Sequence, residues 1–144
     1  MNQIKNVCLL TIIVFGVFFT ACSANNSSVN EIREIADTMT ENILVAMNED
    51  NYLHFSKDFD EPMKNALNEK EYQETIPAIK DKIGNYIFKE FVSIEKKDQY
   101  TIIIYKAKFD QEPDDVIIRT VLSENNGNFL ISGFWVNSPK LQKK

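Results

Sequence analysis

The apolar pattern of this chain changes period at Gly84, and that change limits the fold more than any other feature. Before Gly84 apolar residues recur every three or four positions; after it they alternate or run in short β-branched blocks. Ile32, Ile35, Ala36, Met39, Ile43 and Met47 line one face of a helix expected from about Val29 to Asn48. Ser28 and Glu31 stand at capping-box spacing ahead of it, and Glu34, Asp37, Glu41 and Asn42 fall on its wet face. A turn at Asn48–Asn51 leads to Tyr52, Leu53, Phe55 and Phe59, an apolar cluster on a short helix. Asp60 and Pro62 read as the cap and first turn of another helix, ending near Leu67. Tyr72, Ile76, Ile79 and Ile83 carry the period from a cap at Asn68 to Gly84, whose tolerance of positive φ stops it. Pro77 either kinks that helix or sits in the first turn of a later one starting near Thr75.

Four strands are expected downstream: Tyr86–Lys96, Tyr100–Phe109, Val116–Ser123 and Asn128–Val136. Simple alternation puts Tyr86, Phe88, Val92 and Ile94 on one side of the first, and Phe134 and Trp135 on opposite faces of the last. The turns are Lys96–Asp98, Gln111–Asp115 around Pro113, and Glu124–Asn128. The Asn126-Gly127 pair in the last is a strong hairpin signal. Short connections make the strands an antiparallel meander. Helices first and strands second predict an α+β fold, with the N-terminal helices packed on a curved four-stranded antiparallel sheet. The domain is expected over residues 29–138, followed by a basic, disordered tail over 139–144.

The amino-terminal stretch sets location. Met1–Asn6 is polar with one cation, Lys5; Val7–Phe19 is apolar but for Thr11 and Gly16; Thr20, Ala21 and Cys22 follow, then Ser23 and Asn25–Ser28. Such a charged start, short apolar core and small-residue end describe a secretory signal segment. The apolar core is short against the ~20 residues a membrane span needs. Leu9–Cys22, LLTIIVFGVFFTAC, resembles the lipobox of bacterial lipoproteins, with Phe19 where Leu is commonest. The resemblance implies a signal peptide over 1–21, cleaved between Ala21 and Cys22, with lipid on Cys22 and a flexible tether over 22–28. The protein would then be lipid-anchored to the cell membrane, facing the extracytoplasmic side of a bacterium. The alternative is an uncleaved anchor running to about Ala24. Cys8 would leave with the signal segment and Cys22 would be blocked, so no thiol would remain for a disulfide, metal or nucleophile.

Charge and side-chain inventory narrow the function. Sixteen basic residues against 21 acidic ones give a net charge of −5, and losing Met1–Ala21 removes only Lys5. That balance argues against nucleic-acid binding, which needs a basic face. The one histidine, His54, has Asp58 four residues on as a helical orienting partner; it reads either as a general base or as an ordinary surface residue. Asp58, Asp60 and Glu61, or Glu112, Asp114 and Asp115, are oxygen clusters without EF-hand spacing. No metal or cofactor is expected. The four glycines, Gly16, Gly84, Gly127 and Gly133, make no phosphate loop. Tyr86, Phe88, Tyr105 and Trp135, with His54, are the candidate pocket or interaction residues; no catalytic set is assigned.

The segments FSKDFDEPMKNAL (Phe55–Leu67), KIGNY (Lys82–Tyr86) and ISGFWVNSP (Ile131–Pro139), in this order of elements, resemble the bacterial domain of unknown function 3887. That resemblance, spanning about Ile32–Val136, implies the nuclear transport factor 2-like, cystatin-like superfamily: a cone of helices closed on a bent sheet. Relatives in that superfamily often hold an apolar pocket in the cone or dimerise through the sheet, and some are isomerases or dehydratases. Three functions are therefore carried forward. They are a non-catalytic binding or interaction module for an unidentified protein or small molecule, an envelope component that homodimerises through its sheet, and a small pocket enzyme.

Overall fold

The computed structural model describes residues 24–143, with side chains from Ser28 onward. The signal segment, Ala21 and Cys22 lie outside the described residues. Five helices and four strands follow in the order α1 (Ala24–Asn48), α2 (Tyr52–Phe55), α3 (Glu61–Ala66), α4 (Glu69–Ile83), β1 (Tyr86–Lys97), β2 (Tyr100–Phe109), β3 (Glu112–Asn125), β4 (Asn128–Asn137) and α5 (Pro139–Gln142). The fold is α+β, with the N-terminal helices ahead of a curved antiparallel meander in the order β1-β2-β3-β4.

Helix ends follow local chemistry. Asn51, Asp60 and Asn68 cap α2, α3 and α4 by accepting backbone amides, with Pro62 in the first turn of α3. Gly84, at φ 80° and ψ −155°, occupies a region open essentially to glycine alone and gives its amide to Lys80 at 2.8 Å. A methyl there would also meet the Asp110 carboxylate, which holds the Asn85 amide at 2.9 Å. α4 is one helix that contains Pro77 on its exposed side, so of the two alternatives for Pro77 the later start near Thr75 does not occur. α1 begins at Ala24, five residues before the expected Val29, and runs through residues placed in the tether. A capping sequence marks a permitted start, and serine inside a helix costs too little to enforce it.

Four register shifts bend the sheet, and the two in β1 overturn its expected faces. Extra residues at Ile87 and Val92 divide the strand into three pieces, each out of step with the last. Tyr86, opposite Phe109, is buried, whereas Phe88, opposite Lys108, is 48% exposed on the outer face. Val92 is exposed and Ile94 returns inward opposite Ile103. The β2–β3 turn is tighter than expected: β3 starts at Glu112, so Pro113 lies in the strand, beside the shift between Ala107 and Phe109. Asn126 and Gly127 both take positive φ, as a twist-matched hairpin turn requires.

The core lies between α1 and the inner sheet face. Ala36, Ile43, Leu44 and Met47 pack with Ile103, Tyr105, Ile118 and Ile131, all at most 1% exposed. Phe55 centres an aromatic cluster, 4.8 Å from Tyr72, 5.2 Å from Phe59 and 6.4 Å from Phe134. Residues 58–60 seal the β4 edge: Ile131 donates to the Asp58 carbonyl and accepts from the Asp60 amide, at 2.8 and 3.0 Å.

Residues 139–142 of the expected disordered tail are instead docked. Ser138 caps α5, Leu141 packs on the core, and the Lys140 amide donates to Glu112 at 3.2 Å. Glu112 is 3% exposed. Burial pushes its carboxyl up, but hydrogen bonds from the Ser138 hydroxyl and the Lys140 and Asp114 amides, with the Lys140 charge, outweigh it and hold the group below its ordinary 4.5. A carboxyl lowered by folding contributes stability that is complete above its unfolded value and disappears as pH falls through its folded one. Amide protection of α5 should therefore be constant at neutral pH and decline on acidification below about 4.5. Glu112→Gln should remove that step, and wild-type protection unchanged down to pH ~3 would contradict this role.

Candidate functional site

Among the described residues every helix lies on one side of the sheet and none covers the other. Cross-strand pairing places Ile102 with Val121, Ile104 with Arg119, and Arg119 with Trp135 on that outer face. Gly133, opposite Val121, leaves the space into which Trp135 leans. A β-carbon there would lie 2.4 Å from the far edge of the indole. Trp135 thereby covers Val121, which is 8% exposed, while its own outward side stays open at 52%.

A groove of about 320 Å³ results. Tyr100 and Trp135 line it, Ile102 and Val121 contribute its apolar surface, and Lys97, Asp98, Arg119 and Ser132 its polar surface. Asp98 takes φ 55° in the β1–β2 turn, and Ser132 sits at the shift in β4. Ser132 is held in place, donating to Asp60 at 2.5 Å and contacting the Ser123 hydroxyl at 2.7 Å. The Arg119 guanidinium lies 5.1 Å from the Trp135 ring centre and, among the described residues, forms no ion pair; neither does Lys97. Lysines further along the same face are committed: Lys108 and Lys106 bond Asp115 at 2.8 and 3.4 Å, Lys108 foremost in holding that carboxyl below its ordinary range.

Two other grooves carry less chemistry. One of about 690 Å³ runs between α1 and β1, and its lysine is engaged. Lys89, with a side chain 5% exposed, reaches Asp37 at 2.8 Å and Glu41 at 3.0 Å, and Arg33 stacks on Phe91 at 4.0 Å. Another of about 410 Å³ lies beside Ile35 and Met39.

The candidate residues are dispersed rather than gathered. His54 pairs with Glu49 at 3.3 Å, not with Asp58, because α2 stops after one turn and Ser56 closes it. Tyr86 is buried and donates to Glu41 at 2.8 Å; burial, then the Glu41 bond, pushes its hydroxyl well above the tyrosine range. Tyr105 is fully buried in the core and lines none of the three grooves; among the described residues no well-formed hydrogen bond reaches its hydroxyl, and the nearby Thr40 is already engaged with Thr120. Burial raises that hydroxyl's pKa and the nearby Thr40 only partly offsets it, while Thr40 bonds Thr120 at 2.8 Å. Phe88 stands outside on β1, away from the groove. Only Trp135 of the five belongs to the groove. Tyr100, Arg119 and Lys97 were missed, although Gly133 two residues before Trp135 on one strand face signals an indole lying flat across the sheet.

Among the described residues no three His, Cys, Asp or Glu side chains are placed to hold a metal ion. Asp60 is taken up by the α3 cap and Ser132, and Glu112 by α5. Among the described residues no helix is long and apolar enough to cross a membrane.

These features define a small α+β protein with a helix-covered core and an open, aromatic-bearing sheet face. Residues 40–130 match the family described as Protein of unknown function (DUF3887), and the chain belongs to that family. No curated protein matches the chain.

The orphaned Tyr105 hydroxyl gives a direct test of the core. A buried polar group without a partner costs about 1–3 kcal/mol, so Tyr105→Phe should leave the fold intact and raise stability by about 1 kcal/mol in urea unfolding. A loss of that size would mean that the hydroxyl is satisfied.

Proposed function

We propose that this protein is a lipid-anchored, non-catalytic binding module on the extracytoplasmic side of a bacterial membrane, with the nuclear transport factor 2-like, cystatin-like architecture. Anchoring is supported by the Met1–Cys22 pattern, in which a polar start with Lys5, an apolar core and Ala21-Cys22 follow in lipobox order. The architecture is supported by helices packed on one side of a bent meander. Binding rests above all on one observation: the sheet face away from the helices carries an open groove with the chain's single tryptophan at its wall. The one histidine lies apart from all three grooves, and its carboxylate neighbour is an exposed residue.

Diacylation gives stable membrane attachment where a single chain gives marginal binding. Full-length chain expressed in a bacterial host should fractionate with membranes, and its processed amino-terminal peptide should begin at a lipid-modified Cys22. Cys22→Ala should stay uncut or leave the membrane fraction, with its circular dichroism unchanged. A Cys22→Ala chain that is still processed and membrane-held would refute the anchor.

A further inference from the structure

We infer that the Trp135 groove binds a small amphipathic carboxylate, its apolar body against Trp135 and Tyr100 and its carboxylate on Arg119, with Lys97 alongside. This names the ligand class of the binding module proposed above and rests on that reading.

The chemistry of the groove selects such a ligand. In a chain with 21 acidic residues, cations are easily neutralised, and Lys64, Lys80, Lys89, Lys106 and Lys108 all are. Arg119 stacks on Trp135 instead, and among the described residues its planar fork of donors has no carboxylate. Stacking leaves the edge of a guanidinium able to hold a carboxylate through two parallel bonds, and it fixes the orientation in advance.

Charge and size then narrow the class. Lys97 and Arg119 stand against the single acid Asp98. The surplus of one positive charge suits a monoanion and disfavours a doubly charged phosphate. The net charge of −5 disfavours a polyanion such as a nucleic acid, although the aromatics alone would stack a base. Ile102 and Val121 give the ligand's body an apolar seat. A volume of about 320 Å³ lies at the lower end of the roughly 300–1,000 Å³ of small-molecule sites, enough for one ring on a short chain. Gly133 makes the wall, since any larger residue would force the indole off its present seat.

The sole tryptophan reports on its own site. Full-length protein in phosphatidylcholine nanodiscs is titrated with 3-phenylpropionate, 3-phenylpropanol and 3-phenylpropylamine, read by Trp135 emission and checked by calorimetry. The acid should saturate the signal and bind at least about tenfold more tightly than the alcohol or the amine, the scale of a charge-assisted bond. Arg119→Gln should lose about tenfold for the acid and change little for the alcohol. Gly133→Ala should weaken all three by displacing the ring, and Arg33→Gln, on the far side of the sheet, should change none. Equal binding of acid and alcohol, an Arg119→Gln chain that binds like wild type, or no binding of the acid in the millimolar range would each overturn the assignment. A chain that is membrane-held through Cys22 yet fails these tests loses only the carboxylate site. One that passes them without being membrane-held loses only the anchor.

Discussion

A four-stranded meander with one apolar face persists in water only if that face is covered, and α1 does the covering. Hydrophobic contact alone is non-directional and would allow the helix to slide over Ile103, Tyr105 and Ile118. Two polar clamps fix its position. At its end, the Asn48 side chain takes the Tyr86 amide at 2.9 Å and gives to the Tyr86 carbonyl at 2.8 Å, standing in for a neighbouring strand. Two turns earlier, Glu41 and Asp37 hold the nearly buried Lys89 of β1, whose ammonium also lies 5.1 Å from the centre of the Tyr105 ring. A buried ammonium is tolerable only with such compensation, and loss of one partner costs far more than the pair adds.

Committing α1 to one side decides what the other side can do. The strands that bury Tyr105 and Ile118 inward must send Ile104 and Arg119 outward, because successive side chains alternate. Nothing in the short loops is long enough to fold back over that surface. The groove at Trp135 is therefore a by-product of the same register that builds the core. Its refinements are local: a glycine under the indole, a guanidinium beside it, and a serine fixed by Asp60 at the strand shift.

Much of this was legible in the residues. Helical spacing marked the buried face of α1, Asp60 and Asn68 marked helix starts, and Asn126-Gly127 marked its hairpin, because each is decided by neighbours in sequence. The larger failures share a cause. The bulges at Ile87 and Val92 and the docking of α5 on Glu112 depend on residues that folding brings together, whereas His54 meets Glu49, five residues away, because α2 ends after one turn. Alternation counted along β1 put Phe88 beside Tyr86, and one inserted residue reversed it. The groove was visible only in part: Phe134 and Trp135 were readable as lying on opposite faces, but not which of them points outward, and the partners Arg119 and Tyr100 come from other strands.

In the native protein the sheet face around Trp135 is open and positively charged. Quenching of Trp135 emission in the full-length chain measures both properties at once, by comparing iodide, caesium and neutral acrylamide. Acrylamide should reach the half-exposed ring readily, and iodide should quench more than caesium despite the chain's net negative charge, because Arg119 and Lys97 concentrate anions locally. A tryptophan shielded from acrylamide, or quenched more by caesium than by iodide, would contradict an open cationic groove.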